Sequence, residues 1–135
     1  KTVAFFFVRT DGSIVVRRTQ DYIPSMIELA GGRYVFQDLD SVETTSASVS
    51  MSMEEFYAAA ADADYLVYNA TIDNPIQSVD ELVAKNELFE DFKAVQEGNV
   101  WCVGKYMYQA TRTMRLRDSG RFWIIFTRKV WICPV

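Results

Sequence analysis

Histidine is absent from this 135-residue sequence. That removes imidazole general bases, the Ser-His-Asp and Cys-His nucleophile systems and almost every zinc site. Cysteine is scarce: Cys102 and Cys133 allow one disulfide at most and cannot form a tetrahedral metal site alone. No apolar run approaches the roughly 18 residues that a membrane-crossing helix needs. The chain opens at Lys1 without a charged n-region and an apolar h-region, so any signal peptide is expected to have been removed or never included. What is present is 50% apolar, 14% aromatic and 24% charged, a globular composition at a length that fits one domain with a real core. An enzyme built on this chain would have to use carboxylates, lysine or tyrosine, and no spaced carboxylate pair stands out. We therefore read it as a protein without catalytic residues, metal or cofactor.

The net charge of −4 hides an asymmetry. Residues 1–110 carry 17 acidic side chains against 8 basic ones, whereas residues 111–135 carry Arg112, Arg115, Arg117, Arg121, Arg128 and Lys129 against Asp118 alone. A solvated basic arm would point to nucleic acid or an anionic membrane. Here the cations are interleaved with Phe122, Trp123, Ile125, Phe126 and Trp131. No nucleic-acid partner is expected.

Along the chain, Val3 to Val8 is an apolar run bounded by Asp11-Gly12, and Ile14-Val15-Val16 follows it. That predicts a buried strand and a hairpin. Asp21 is placed to cap a helix through Ile23, Met26, Ile27 and Ala30, with Pro24 in its first turn and Gly31-Gly32 at its end. Tyr34-Val35-Phe36 reads as a short strand, and residues 37–52, polar and rich in Ser and Thr, as a long loop. Ser52 with Glu55 three residues on predicts a capping box, followed by Phe56, Ala60 and Ala63. Tyr65 to Tyr68 reads as a strand, Ser78 and Asp80 open a helix, and Leu88, Phe92 and Val95 carry a further apolar stripe up to Gly98-Asn99. Val100 to Val103 is the next strand. Strands alternating with helices imply an α/β fold: a three-layer sandwich with a mainly parallel central sheet and helices on both faces.

Four runs then stand in one order: Asp21 to Gly32 ending Ala30-Gly31-Gly32, Ser52-Met53-Glu54-Glu55-Phe56, Ala63-Asp64-Tyr65-Leu66-Val67-Tyr68, and Phe92 to Trp101 with Ala94-Val95-Gln96-Glu97-Gly98-Asn99-Val100. Together they resemble the C-terminal lobe of the ABC-transporter substrate-binding proteins that capture ferric siderophores, haem or vitamin B12, over roughly residues 1–110. The resemblance implies one half of a bilobal binding protein whose N-terminal lobe is missing from this sequence. It implies an extracytoplasmic place, periplasmic or as a lipoprotein anchored at the outer cell surface. The implied partners are an ABC permease and an iron-siderophore, haem or corrinoid ligand. Glu54 matches the family's permease-docking glutamate; a helix-start carboxylate favoured by the dipole is the plainer alternative.

Ligand contacts in open α/β sheets come from loops at the carboxyl ends of strands. Those loops are Arg9-Thr10, residues 45–50, Asn69 to Asn74, and Lys105 to Gln109. Lys105, Tyr106 and Tyr108 combine a cation for an anionic chelate with faces that stack on a flat ligand. Arg9 is a second cation, with a solvated strand end as its alternative, and Asn69 opens the Asn69 to Asn74 loop. Asn69-Ala70-Thr71 also matches a glycosylation sequon, read here as accidental, and Cys102 reads as a small buried hydrophobe.

Residues 111–135 depart from the family pattern, which ends in an amphipathic helix. The resemblance stops near Met114 as the composition inverts. A shifted reading frame is one explanation; the other is an element that adds strands to the sheet edge or makes a homo-oligomer through the tail. The reading from another class is a flavodoxin-like or receiver-like regulatory domain, against which stand the lack of a phosphate-cradling Gly-rich loop and of an acidic pocket after the first strand.

Overall fold

In the computed structural model, the residues described are 1–39, 46–71, 76–103 and 131–134. Their strands form one mixed sheet in the order β4 (Ser48–Met51), β2 (Ile14–Arg17), β1 (Thr2–Val8), β5 (Tyr65–Asn69), β6 (Val100–Val103), β7 (Trp131–Pro134), with β3 (Arg33–Tyr34) also paired to β1. The core is β1 (Thr2–Val8), whose centre is buried on both faces, as its unbroken apolar run requires. It pairs in parallel with β5 (Tyr65–Asn69), and β5 pairs in parallel with β6 (Val100–Val103). The expected hairpin is present: β2 (Ile14–Arg17) runs antiparallel to β1. Antiparallel pairs therefore flank a parallel centre.

The upper part of β1 pairs with β2, while Thr2 and Val3 pair with β3 (Arg33–Tyr34). Tyr34 sits at this fork, fully buried. Its hydroxyl accepts a hydrogen bond from the Arg17 backbone N–H at 3.1 Å and donates one to the Arg17 carbonyl at 2.8 Å. Burial pushes the Tyr34 phenol well above its ordinary range. The third strand is shorter than expected, ending at Tyr34, with Val35 N–H still bonded to the Val3 carbonyl.

The first helix, α1 (Tyr22–Leu29), falls where expected, but Asp21 does not cap it through its side chain. That carboxylate lies 3.5 Å from Arg17 Nε instead. The helix ends in a complete Schellman motif: Gly32 N–H bonds the Ile27 carbonyl and Gly31 N–H bonds the Glu28 carbonyl. Gly31 has φ +85°, and a Cβ on Gly32 would stand 3.0 Å from Ile27 Cγ2. Both glycines are required, for different reasons.

Part of the expected long loop is a strand. β4 (Ser48–Met51) pairs antiparallel with β2, with Val49 opposite Val16 and Met51 opposite Ile14. The alternation Ser-Val-Ser-Met is a period-two pattern hidden in a Ser/Thr-rich composition. After it, Ser52 opens α2 (Met53–Ala60) through the predicted capping box. The single stripe read through Leu88, Phe92 and Val95 is in fact two elements. After α3 (Val79–Lys85) come a 3-10 turn (Glu87–Asp91) and α4 (Lys93–Gln96), separated by Phe92 in extended backbone. That break turns Phe89 and Phe92 inward together.

Phe6 of β1 meets Phe56 of α2, Tyr68 of β5 and Phe89 at ring centroid distances of 4.7, 5.7 and 5.6 Å. Phe92 stacks on Phe56 at 5.6 Å. These contacts fasten α2 and the 3-10 turn to one sheet face. At the amino edge of the sheet, Asp64 accepts hydrogen bonds from Thr2 N–H at 2.9 Å and Lys93 Nζ at 2.8 Å. One carboxylate thus joins β1, the start of β5 and α4. Finally, β7 (Trp131–Pro134) lies antiparallel to β6 and extends the sheet on that side.

Candidate functional site

β1, β5 and β6 are parallel, so Val8, Asn69 and Val103 end at one edge of the sheet. β4 is antiparallel to β2, which is antiparallel to β1, so β4 also ends there and delivers the start of α2 to the same edge. Arg9 and Asn69, both chosen as strand ends, and Glu54, chosen from the resemblance, share this carboxyl edge. Lys105, Tyr106 and Tyr108 lie outside the described residues, as do residue 45, Asn74 and residues 111–130. Val103 is paired with Trp131, so the chain leaves and re-enters the described fold at that edge.

Arg9 is exposed, and its Nη1 donates to Ser50 Oγ at 3.4 Å, reaching from the hairpin to β4. Ser50 belongs to the 45–50 region marked from sequence, though it is in a strand and not a loop. Asn69 is 4% exposed, the single buried polar residue among those described. Its Oδ1 accepts from Thr71 N–H at 3.2 Å and Thr71 Oγ1 at 2.6 Å, which turns the chain sharply after β5. A sequon whose asparagine is buried and bonded to its own threonine cannot receive a glycan in the folded state.

Asn69 also lines a depression of about 40 Å³ on the sheet face, with Phe5, Phe7, Val15, Arg17 and Ser48. Phe5, Phe7 and Asn69 share that face by the strand period, and Val15 joins them through its pairing with Phe7. Arg17 Nη1 donates to Ser48 Oγ at 3.1 Å. A space of that size holds water or the tip of a ligand and cannot enclose a chelate. The Arg17–Ser48 contact joins residues 31 apart and has no local signal in the sequence.

At the start of α2, two adjacent carboxylates do different things. Glu55 closes the capping box: its side chain accepts from Ser52 N–H at 2.9 Å while its own N–H donates to Ser52 Oγ at 3.2 Å. Glu54 is exposed and, among the described residues, has no hydrogen-bond or ion-pair partner. The helix start is satisfied without it.

Among the described residues no three or more Cys, Asp or Glu side chains are grouped to hold a metal, and no helix is long and apolar enough to cross a membrane. Cys102 is fully buried in β6, as expected.

No family model and no curated protein matches the chain. Solved structures do match. An ABC transporter substrate-binding protein from Listeria monocytogenes covers 89% of this chain at 19% identity and a TM-score of 0.57. The siderophore periplasmic binding protein from the fuscachelin gene cluster of Thermobifida fusca covers 92% at 22% identity and 0.61. IsdE of S. aureus, solved with haem, covers 93% at 16% identity and 0.58. The likeness is one of fold. This chain spans only 46%, 43% and 45% of those proteins, so it has the α/β fold of less than half of a substrate-binding protein.

Proposed function

We propose that this chain is one lobe of the extracytoplasmic substrate-binding component of an ABC importer whose ligand is an iron chelate (a siderophore or haem) or a corrinoid. The observation that carries the reading is the gathering of Arg9, Asn69 and the Glu54 end of α2 at the carboxyl edge of an α/β fold shared with such binding proteins. The lobe spans roughly residues 1–110 and ends in a basic, aromatic tail over 111–135. In this reading the carboxyl edge is one wall of a cleft and the other wall belongs to an N-terminal lobe. Arg9 and Lys105 supply positive charge for an anionic chelate, Tyr106 and Tyr108 supply stacking faces, and Asn69 holds the β5 end in shape. Glu54, left unpaired by the cap, docks on arginines of the permease, where carboxylate–guanidinium pairing steers and orients the encounter. No residue is given a catalytic role. Anchoring as a lipoprotein and placement in the periplasm both fit the same reading.

Absorbance titration of the two-lobe protein with haem, cobalamin and ferric siderophores tests it. One of the three classes should saturate at a single site. Failure of all three to bind removes the reading.

A further inference from the structure

Asn69 is the one buried polar side chain among the described residues, and only half of its amide is engaged. Thr71 N–H can only donate, so the Asn69 atom facing it at 3.2 Å must be the oxygen, which also accepts from Thr71 Oγ1. That fixes the amide and turns Nδ2 away from the turn after β5. Among the described residues Nδ2 has no hydrogen-bond partner. A buried amide donor without an acceptor is costly, and folded proteins keep few of them.

What Asn69 borders with that donor is the depression of about 40 Å³ that it shares with β1, β2 and β4. Phe5, Phe7 and Val15 make its apolar wall, and Arg17 and Ser48 stand with Asn69 as its polar groups. Arg17 is firmly placed: the buried Tyr34 hydroxyl clamps its backbone, its Nε lies 3.5 Å from Asp21, and its Nη1 donates to Ser48 Oγ at 3.1 Å. Ser48 Oγ accepts that bond, which leaves its own proton to donate. Asp21 stays outside the lining, and no carboxylate is part of it. The polar groups are thus an amide N–H pair, a hydroxyl and a guanidinium, brought from three strands. A volume of about 40 Å³ has room for about three water-sized groups, the bulk of a carboxylate. Donors beside an apolar wall and a nearby cation suit a charged oxygen acceptor.

We propose that this depression binds a carboxylate group, with Asn69 Nδ2 and the Ser48 hydroxyl donating to its oxygens and Arg17 supplying the positive charge. The same chemistry fits a free short acid and the end of a longer one. The site does not depend on the two-lobe reading: it would stand if none of the chelates bound.

The test titrates this chain, labelled with nitrogen-15, with sodium formate at constant ionic strength and follows the Asn69 side-chain amide by NMR. The Asn69 amide signals should shift and saturate in the millimolar range. Ser48→Ala lies on the edge strand β4 and should keep the fold while weakening formate about three- to tenfold. Asn69→Asp keeps an oxygen for Thr71 and replaces the donors by an acceptor, so formate binding should be lost. Hexanoate distinguishes the two sources. Binding as tight as that of formate assigns the site to the end of a longer molecule, and exclusion of hexanoate with formate retained assigns it to a free short acid. An Asn69 amide that stays still, or drifts in proportion to formate without saturating, would overturn the proposal. So would a formate affinity unchanged in Ser48→Ala, a result that decides the matter even if Asn69→Asp does not fold.

Discussion

At the residue scale the informative contrast is between Glu54 and Glu55. The sequence already sets Glu55 three residues after Ser52 as its capping partner, and the fold commits Glu55 to that cap and leaves Glu54 exposed. Glu54→Ala should therefore leave urea-unfolding stability within about 0.5 kcal/mol of the parent, as for surface positions generally. Ser52→Ala should cost about 1 kcal/mol, because the Glu55 N–H loses its acceptor. In a two-lobe protein carrying Glu54→Ala, ligand affinity should hold while uptake falls. Unchanged uptake, even when the matching glutamate of the other lobe is also removed, would leave Glu54 as a plain surface carboxylate. Asp64 gives a pH prediction. Its hydrogen bond from Lys93, and next that from Thr2 N–H, hold its carboxyl well below the ordinary value of 3.8. A carboxylate depressed in the folded state contributes stability at neutral pH that is lost as the pH falls below that ordinary value. Asp64→Asn should lower stability at pH 7 and flatten the decline below pH about 4 in acid titrations of unfolding. An unaltered acid limb would show that the Asp64 contacts contribute nothing.

At the element scale, legibility followed the strength of local chemistry. The helix from Asp21 to Gly32 could be read because its end carries a rule that only glycine satisfies, and the structure shows the rule in use at Gly31. Gly31→Ala should cost about 1 kcal/mol or more through the left-handed backbone alone. Gly32→Ala should be worse, since its Cβ meets both the Ile27 side chain and the Ile27 carbonyl. If calorimetry ranks the two in the opposite order, the packing of α1 against β1 is looser than the distances imply. β4 was not legible. Four residues of Ser-Val-Ser-Met carry little propensity, and the pairing that makes them a strand comes from β2, more than thirty residues earlier. The break at Phe92 was hidden for a related reason: a helical stripe and a 3-10 turn followed by a short helix place nearly the same apolar residues inward. The place of Arg9 and Asn69 at the carboxyl edge was legible because strand ends follow from strand positions, whereas Arg17 and Ser48, which border the same depression as Asn69, needed the β2–β4 pairing.

At the scale of the whole molecule, the sheet shows what the last residues do for the rest. β6 is Val100-Trp101-Cys102-Val103, apolar along its length, with Val100, Cys102 and Val103 fully buried. Its inner edge pairs with β5 and its outer edge with β7. The other end of the sheet is β4, whose serines and short length suit an edge beside water. Without β7 the sheet would end on β6, an apolar strand with unpaired N–H and C=O groups and no lysine or proline to deter a second chain. Deleting residues 130–135 should therefore turn a soluble species into larger assemblies or precipitate, read by multi-angle light scattering at rising concentration. Replacing Trp101, the one residue of β6 that is not fully buried, by Lys in the deletion should partly restore solubility, because an edge charge blocks strand addition. A truncated chain that stays monodisperse and melts at the same temperature would show that β7 does not protect this edge. The ionic character of 111–129 would then have to be explained by what it binds, through the carboxyl edge where the chain leaves β6.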